Sequence, residues 1–180
     1  MIMGNAITKQ EMLARLDEVS QRFVSINTAI PGELFFMQPA DKWSIAQNVI
    51  HLDKAARMTS LAYRLPKFMV RIYGGKPNRA SRSYDELVEK YKLKLEQGGK
   101  ASGPFIPKPA PAGQSKEKLI QHFQSTMNKL SSAIDRNWKE EQFDRYLAPH
   151  PLLGKLTLRE LIYFTIYHTE HHLAIIKSRN

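Results

Sequence analysis

Four long segments of this chain repeat their apolar residues every three or four positions, and no segment alternates cleanly between apolar and polar with turn residues on its flanks. That period is one face of an α-helix, so the pattern restricts the chain to an all-α fold. Over 8–28 the stripe is Met12, Leu16, Val19, Phe23 and Ile26, and Pro31-Gly32 closes it. A second helix opens at Ser44 and carries Ile45, Val49, Leu52, Ala56, Leu61 and Leu65. Pro66 kinks or interrupts it, because proline removes an internal hydrogen bond, and Gly74-Gly75 stops what continues. Another begins at Ser115 with Leu119, Ile120, Phe123, Met127, Leu130 and Ile134, and the most apolar spans 158–178. Ser44 with Gln47, Ser83 with Glu86, and Thr157 with Glu160 have capping-box spacing, in which each side chain satisfies a free backbone donor of the other residue.

These four helices suffice for an antiparallel four-helix bundle. A short helix at 83–96 and a loop at 97–114, with four Gly and four Pro, are inserted between the second and third long helices. The stretch 139–156 reads as a connection without strands. The 180 residues fit a single domain over 1–180, because neither side of the loop has enough helices for a core of its own.

The chain has no cysteine, which excludes disulfides, thiolate zinc sites and a cysteine nucleophile. Any metal must be held by His, Asp or Glu. The net charge is +10, and it is local. Between Asp53 and Asp85 there are eight bases and no acid: Lys54, Arg57, Arg64, Lys67, Arg71, Lys76, Arg79 and Arg82. Lys100, Lys108 and Lys116 add three more in the second acid-free stretch, so the remainder of the chain is balanced. No apolar run approaches the ~20 residues of a membrane span, and the first residues lack the basic and apolar regions of a secretory signal. A cytoplasmic protein with no membrane partner is expected.

Six histidines concentrate the chemistry: His51, His122, His150, His168, His171 and His172. His168 and His172, at i and i+4, project two imidazoles from one helical face, the spacing with which a helix chelates a metal ion. Their stripe includes Leu158, Leu161 and Thr165, so it turns toward the bundle interior. His51 is the best candidate for a third ligand from a neighbouring helix. His171 competes with His172, because it lies at i+3 from His168 in line with Phe164, Tyr167 and Ala174; spacing leaves both open. Three neutral imidazoles with open coordination positions are the pattern of a catalytic metal. Gln47, one turn before His51, is placed to bond a metal-bound water or the other imidazole nitrogen. His150, on the loop before the last helix, reads as a turn residue, with a fourth ligand or a proton shuttle as alternatives. His122 reads as surface. Glu170 falls off the histidine face and reads as solvated. Tyr63, Tyr163 and Tyr167 are either pocket-lining or core.

The run Lys42-Trp43-Ser44-Ile45-Ala46-Gln47-Asn48-Val49-Ile50-His51-Leu52 resembles the W-S-x-x-Q-x-x-x-H-L segment of the DinB-like (DinB/YfiT) metalloenzymes. The closing segment, His150 to Leu161 followed by Tyr167-His168-Thr169-Glu170-His171-His172-Leu173, is similar to that family's last helix with its H-x-x-x-H-L motif. The resemblance implies a four-helix bundle that binds a divalent metal, zinc or nickel, through one His of the second helix and two of the last. Carried onto this sequence, the ligands are His51, His168 and His172, which selects His172 over His171. It also implies a homodimer. Relatives include thiol transferases and isomerases that use low-molecular-weight thiols such as bacillithiol or mycothiol. The basic insertion at 66–116 goes beyond the family's core pattern.

The leading functional expectation is a thiol-dependent S-transferase acting on a small-molecule substrate. With no cysteine in the chain, a low-molecular-weight thiol must arrive as cosubstrate, and Arg57 and Arg64 are candidates to bind its anionic groups. A hydrolase with water as nucleophile is the alternative within the same site. A reading of a different class is a non-enzymatic binder of nucleic acid or another polyanion through Lys54, Arg57, Arg64 and Arg71. The sequence has no zinc finger, RRM signature or convincing helix-turn-helix, so nucleic acid is not the expected partner.

Overall fold

The computed structural model describes residues 7–40, 42–111 and 113–179. Its long helices are α1 (Lys9–Ala29), α3 (Ile45–Arg64), α6 (Lys116–Asn137) and α7 (Leu158–Lys177). Between them lie the short helices α2 (Gly32–Phe36), α4 (Lys67–Gly74) and α5 (Tyr84–Glu96). The capping boxes at Ser44, Ser83 and Thr157 all form, and Thr8 with Glu11 makes another at the start of α1. Pro66 ends the second helix rather than kinking it: Leu65 is extended and Pro66 starts α4.

The bundle departs from the antiparallel arrangement expected of it. In α3 and α6, Asp53 meets Thr126, and further along Tyr63 meets Asn137 and Trp138, so these two helices run parallel. By contrast, the α3–α7 pair is antiparallel, with Asn48 beside His172 and Tyr63 beside Leu158. Lys116 at the start of α6 bonds the carbonyls of Thr28 and Ile30 at the end of α1, so these two are also antiparallel. α1 packs on α6 and α7, as does α3, which leaves α1 and α3 diagonal although they follow one another in the long-helix order. The physical reason is the segment between α3 and α6. Containing α4, α5 and the Gly/Pro-rich loop, it is long enough to return the chain along the full bundle, about 30 Å, before α6 begins.

One apolar core fills the bundle, with Met12, Leu16 and Phe23 of α1 against Phe123, Met127 and Ile134 of α6. The rings of Phe23 and Phe123 lie 4.7 Å apart. Every residue of α7 from Leu158 to Ile166 is buried, because α1 and α3 flank it and α5 lays Leu87 and Tyr91 over it. A helix covered on all sides is largely apolar all round, and of these nine residues only Arg159, Glu160 and Thr165 depart from that.

The 139–156 connection holds two strands that periodicity did not reveal. β1 (Leu147–His150) and β2 (Gly154–Thr157) pair antiparallel, Leu147 opposite Thr157 and His150 opposite Gly154. Each is four residues long and one contains Pro149, too short and irregular for an alternating pattern to register. Gly154 has φ +76°, a conformation that suits glycine at the end of the tight turn.

Candidate metal centre

The capping box at Ser44 starts α3 so that Gln47, Asn48 and His51 lie within its first two turns, inside the protein. α7 runs antiparallel against this end and delivers His168 and His172 from its last turns. His51, His168 and His172 are all buried, with ring nitrogens within 4.8 Å of one another. His168 Nε2 lies 3.1 Å from His51 Nε2 and 3.1 Å from His172 Nε2. The i, i+4 pair expected to face inward is thus His168 with His172; His171 is only partly buried, edge-on to Tyr91, and stays outside the group.

The far nitrogens set the tautomers. His51 Nδ1–H donates to the Phe105 carbonyl at 2.8 Å, and His172 Nδ1–H donates to Asn48 Oδ1 at 2.7 Å. Asn48 cannot turn its amide around without loss, because its Nδ2 donates to the Ser44 carbonyl at 2.8 Å. Both Nε2 atoms therefore carry lone pairs directed at a common point. Burial pushes the pKa of His51 down, more than the Phe105 carbonyl bond raises it. Burial, and then charge on neighbouring imidazoles, holds His168 and His172 well below the ordinary value. Each shift favours the neutral ring, the form that can ligate a cation.

This donor set fits a divalent cation. His168 Nε2 faces two lone pairs and can donate a hydrogen to only one, so the chain's own atoms leave at least one lone pair facing another. Zn–N bonds of ~2.0–2.1 Å put adjacent nitrogens of one coordination shell roughly 3 Å apart, the spacing of His168 Nε2 from both of its neighbours. Hydrogen-bonding the outer nitrogen of a ligand histidine is the usual way of fixing its ring. Aromatic rings hold the imidazoles in place: Phe164 stacks on His168 at 4.8 Å, and Trp43 lies parallel to His172 at 6.3 Å.

Other expected residues sit elsewhere. Gln47 does not reach an imidazole: its Oε1 accepts from the Ser44 N–H at 2.8 Å, and its Nε2 points to the Pro107 carbonyl at 3.4 Å. The place foreseen for it, at the outer nitrogen of His51, belongs to Phe105. Arg57 pairs with Asp53 at 2.9 Å on the side facing α6, and Arg64 ends α3, about 20 Å along the helix from His51. Neither arginine meets the histidines. His150 is the turn residue of the β1–β2 connection, its Nδ1 accepting from the Leu152 and Leu153 N–H groups, and burial pushes its pKa to about 4. His122 is exposed. Glu170 is half-buried and accepts from the Tyr84 hydroxyl at 2.9 Å. Tyr63 and Tyr163 are core; Tyr91 of α5, not singled out in the sequence, faces His168 edge-on. Asn48 had a findable signal, one turn before His51 and within the motif. The Phe105 carbonyl had none, because a backbone group carries no residue-type signature.

The sequence profile of the DinB superfamily matches residues 9–176. The uncharacterized protein YuaE of Bacillus subtilis (strain 168) is 28% identical over 140 residues, 77% of this chain and 78% of that protein. The solved structure of YfiT from Bacillus subtilis superposes with a TM-score of 0.58 at 19% identity, covering 99% of this chain and 91% of that one. YfiT is described as a probable metal-dependent hydrolase with an unusual four-helix bundle topology. With a family match over nearly its whole length, the chain belongs to the DinB superfamily.

Proposed function

We propose that this protein is a divalent-metal-dependent enzyme acting on a small molecule, with His51, His168 and His172 holding the ion, zinc or nickel, and with hydrolysis as its reaction. The observation that carries the reading is the convergence of three buried Nε2 atoms, two of whose partner nitrogens, on His51 and His172, are hydrogen-bonded away from the centre. When bound, such a cation lowers the pKa of a bound water to about 7 and deprotonates a bound thiol, so either serves as nucleophile near neutral pH. The chain's own contribution is orientation. Phe105 and Asn48 hold two rings in the ligating tautomer, and burial favours the neutral form of all three. The description of YfiT supports water as the nucleophile.

Thiol transfer is the finer reading from the sequence and uses the same ligands. It loses support from Arg57 and Arg64, which stand away from the histidines. A cytoplasmic homodimer stays part of the proposal, checked by localisation and sedimentation velocity.

Metal analysis of the purified protein tests the ligand set. About one zinc or nickel ion per chain is expected, with loss in His51→Ala and His172→Ala; full retention in both variants sinks the assignment. A hydrolysis panel run with and without added thiols then separates the reactions. Turnover without thiol supports hydrolysis, and turnover only with thiol overturns it in favour of transfer.

A further inference from the structure

The metal centre leaves α4 unused, and α4 is amphipathic in the wrong sense for a helix on a globular core. It packs on β1 through Val70 and Gly74, so closely that a Cβ on Gly74 would meet the Leu147 carbonyl oxygen at 1.8 Å. Its large apolar side chains point the other way: Phe68 is 65% exposed, Ile72 72% and Tyr73 64%. Helical spacing puts these three and Met69 on one continuous arc of about 140°. The cations Lys67 and Arg71 occupy the protein side, 5.2 Å over the Trp138 ring and 4.4 Å over the Tyr146 ring. A surface helix ordinarily shows the reverse pattern, and contiguous exposed apolar side chains mark an interaction site.

A second observation lies at the end of the same helix. A cleft of about 350 Å³ opens beside Gly74 and Gly75, and its charged lining residues are Lys76, Arg79 and Lys155, with no acid. Arg79 is held by Glu160. Lys76 and Lys155 are exposed and, among the described residues, have no carboxylate within salt-bridge distance. The run 54–84, which contains Lys76, lacks an acidic residue.

We propose that α4 docks the protein on an anionic phospholipid surface, with Phe68, Ile72 and Tyr73 entering the headgroup–acyl boundary while Lys76 and Lys155 meet lipid phosphates. Apolar residues beside unpaired cations are the composition that interfacial helices use. No helix of the described residues is long and apolar enough to cross a membrane, so α4 lies on the surface. The proposal departs from the sequence expectation that no membrane takes part, which rested on the lack of a spanning segment. A second copy of the chain is a poorer occupant. One eight-residue helix, about 12 Å long, cannot supply the roughly 800 Å² per partner of a stable interface, and two copies bring like charges together. Duplex nucleic acid offers phosphates to the lysines but no apolar phase to the arc.

Flotation of the full chain with vesicles tests this, using phosphatidylcholine alone and equimolar phosphatidylcholine–phosphatidylglycerol at ~50 and ~150 mM salt. Binding is expected to the anionic vesicles only, weaker at the higher salt, and at least tenfold weaker in the double variants F68S/I72S and K76E/K155E. All four positions are exposed, so both variants should keep the wild-type melting curve. Absence of flotation by the wild type overturns the proposal, as does undiminished flotation of F68S/I72S, which means adsorption by charge alone. A wild-type dimer that F68S/I72S dissolves, with no flotation by either, assigns the patch to a second copy instead. Metal content does not enter any of these readouts.

Discussion

Two buried polar clusters share α7, one at each end, and they are built on opposite principles. At the N-terminal end the Glu160 side chain is fully buried and saturated. It accepts from both Arg79 Nη atoms at 2.6 and 2.8 Å, from the Arg82 N–H at 2.8 Å and from the Thr157 N–H at 3.0 Å. Next to it Arg159 is closed by Asp144 and the Ile7 carbonyl, and Ser81 bridges Asp144 to Thr157. At the C-terminal end His51 and His172 turn their donors outward and their lone pairs inward, toward His168 Nε2. A saturated cluster has nothing left to offer a ligand and serves to staple segments together: here the 75–83 linker and the 139–146 connection are fixed to α7. A cluster in which converging nitrogens have at most one hydrogen to share is completed only by something brought from outside. The contrast separates a structural network from a candidate site without reference to burial, which Glu160 and Arg159 share with the three histidines.

Removing Glu160 should produce the largest effect. Glu160→Ala leaves two partly buried guanidinium groups and two N–H groups unpaired. We expect a loss of about 3–5 kcal/mol in chemical denaturation, on the order of 10 °C in Tm, with metal content per folded molecule unchanged. A loss below about 1 kcal/mol would mean that the network is ornamental and the comparison fails.

The reverse pattern is expected at the other end. His168→Ala should lower metal affinity by roughly 100-fold or more, about 2.7 kcal/mol, in calorimetric titration with zinc. The metal-free variant should lose less stability than Glu160→Ala, because His168 Nε2 can share a hydrogen with only one of the two imidazoles it faces. Equal destabilisation of the metal-free forms by the two substitutions would break the distinction.

Asn48 sharpens it further. Asn48→Ala frees the outer nitrogen of His172 and should weaken zinc binding by roughly 10–100-fold. Asn48→Asp keeps the acceptor and should restore most of that affinity; failure to do so would show that Asn48 acts through packing alone.

The smallest effect is in pH. Burial raises the Glu160 carboxyl, but the bonds from Arg79, Arg82 and Thr157 outweigh it, so the folded pKa lies below the ordinary value. The unfolded chain therefore binds the proton first as pH falls. The stability Glu160 contributes is complete above the usual carboxylate range and disappears as pH falls through its folded value. Glu160→Gln should accordingly flatten the acid limb of the stability profile while lowering the plateau near pH 7. An acid limb as steep as that of the wild type would place the titration on other carboxylates.

Much of this was legible in residue order alone, and the boundary has a physical cause. Helix positions, three capping boxes, the break at Pro66 and the i, i+4 pair of His168 and His172 are all set by interactions within four residues, which spacing records directly. So is the confinement of the positive charge to 54–84 and 97–116. Periodicity could not choose between His171 and His172, since both stripes of α7 are partly apolar; α3 and α5, packing on different sides of that helix, make the choice. The parallel course of α3 and α6 depends on how some fifty residues cross the bundle, and no local pattern encodes that path. The outward face of α4 depends on Gly74 lying flush against Leu147, a contact spanning more than seventy residues. Arg57, Arg64 and Gln47 show the same limit: the sequence supplied suitable chemistry, and the fold spent it on Asp53, on the far end of the helix and on the Ser44 cap. Short-range spacing determined which helices and which donors this protein has. Only tertiary packing decided which donors meet, because that depends on contacts between residues a hundred positions apart.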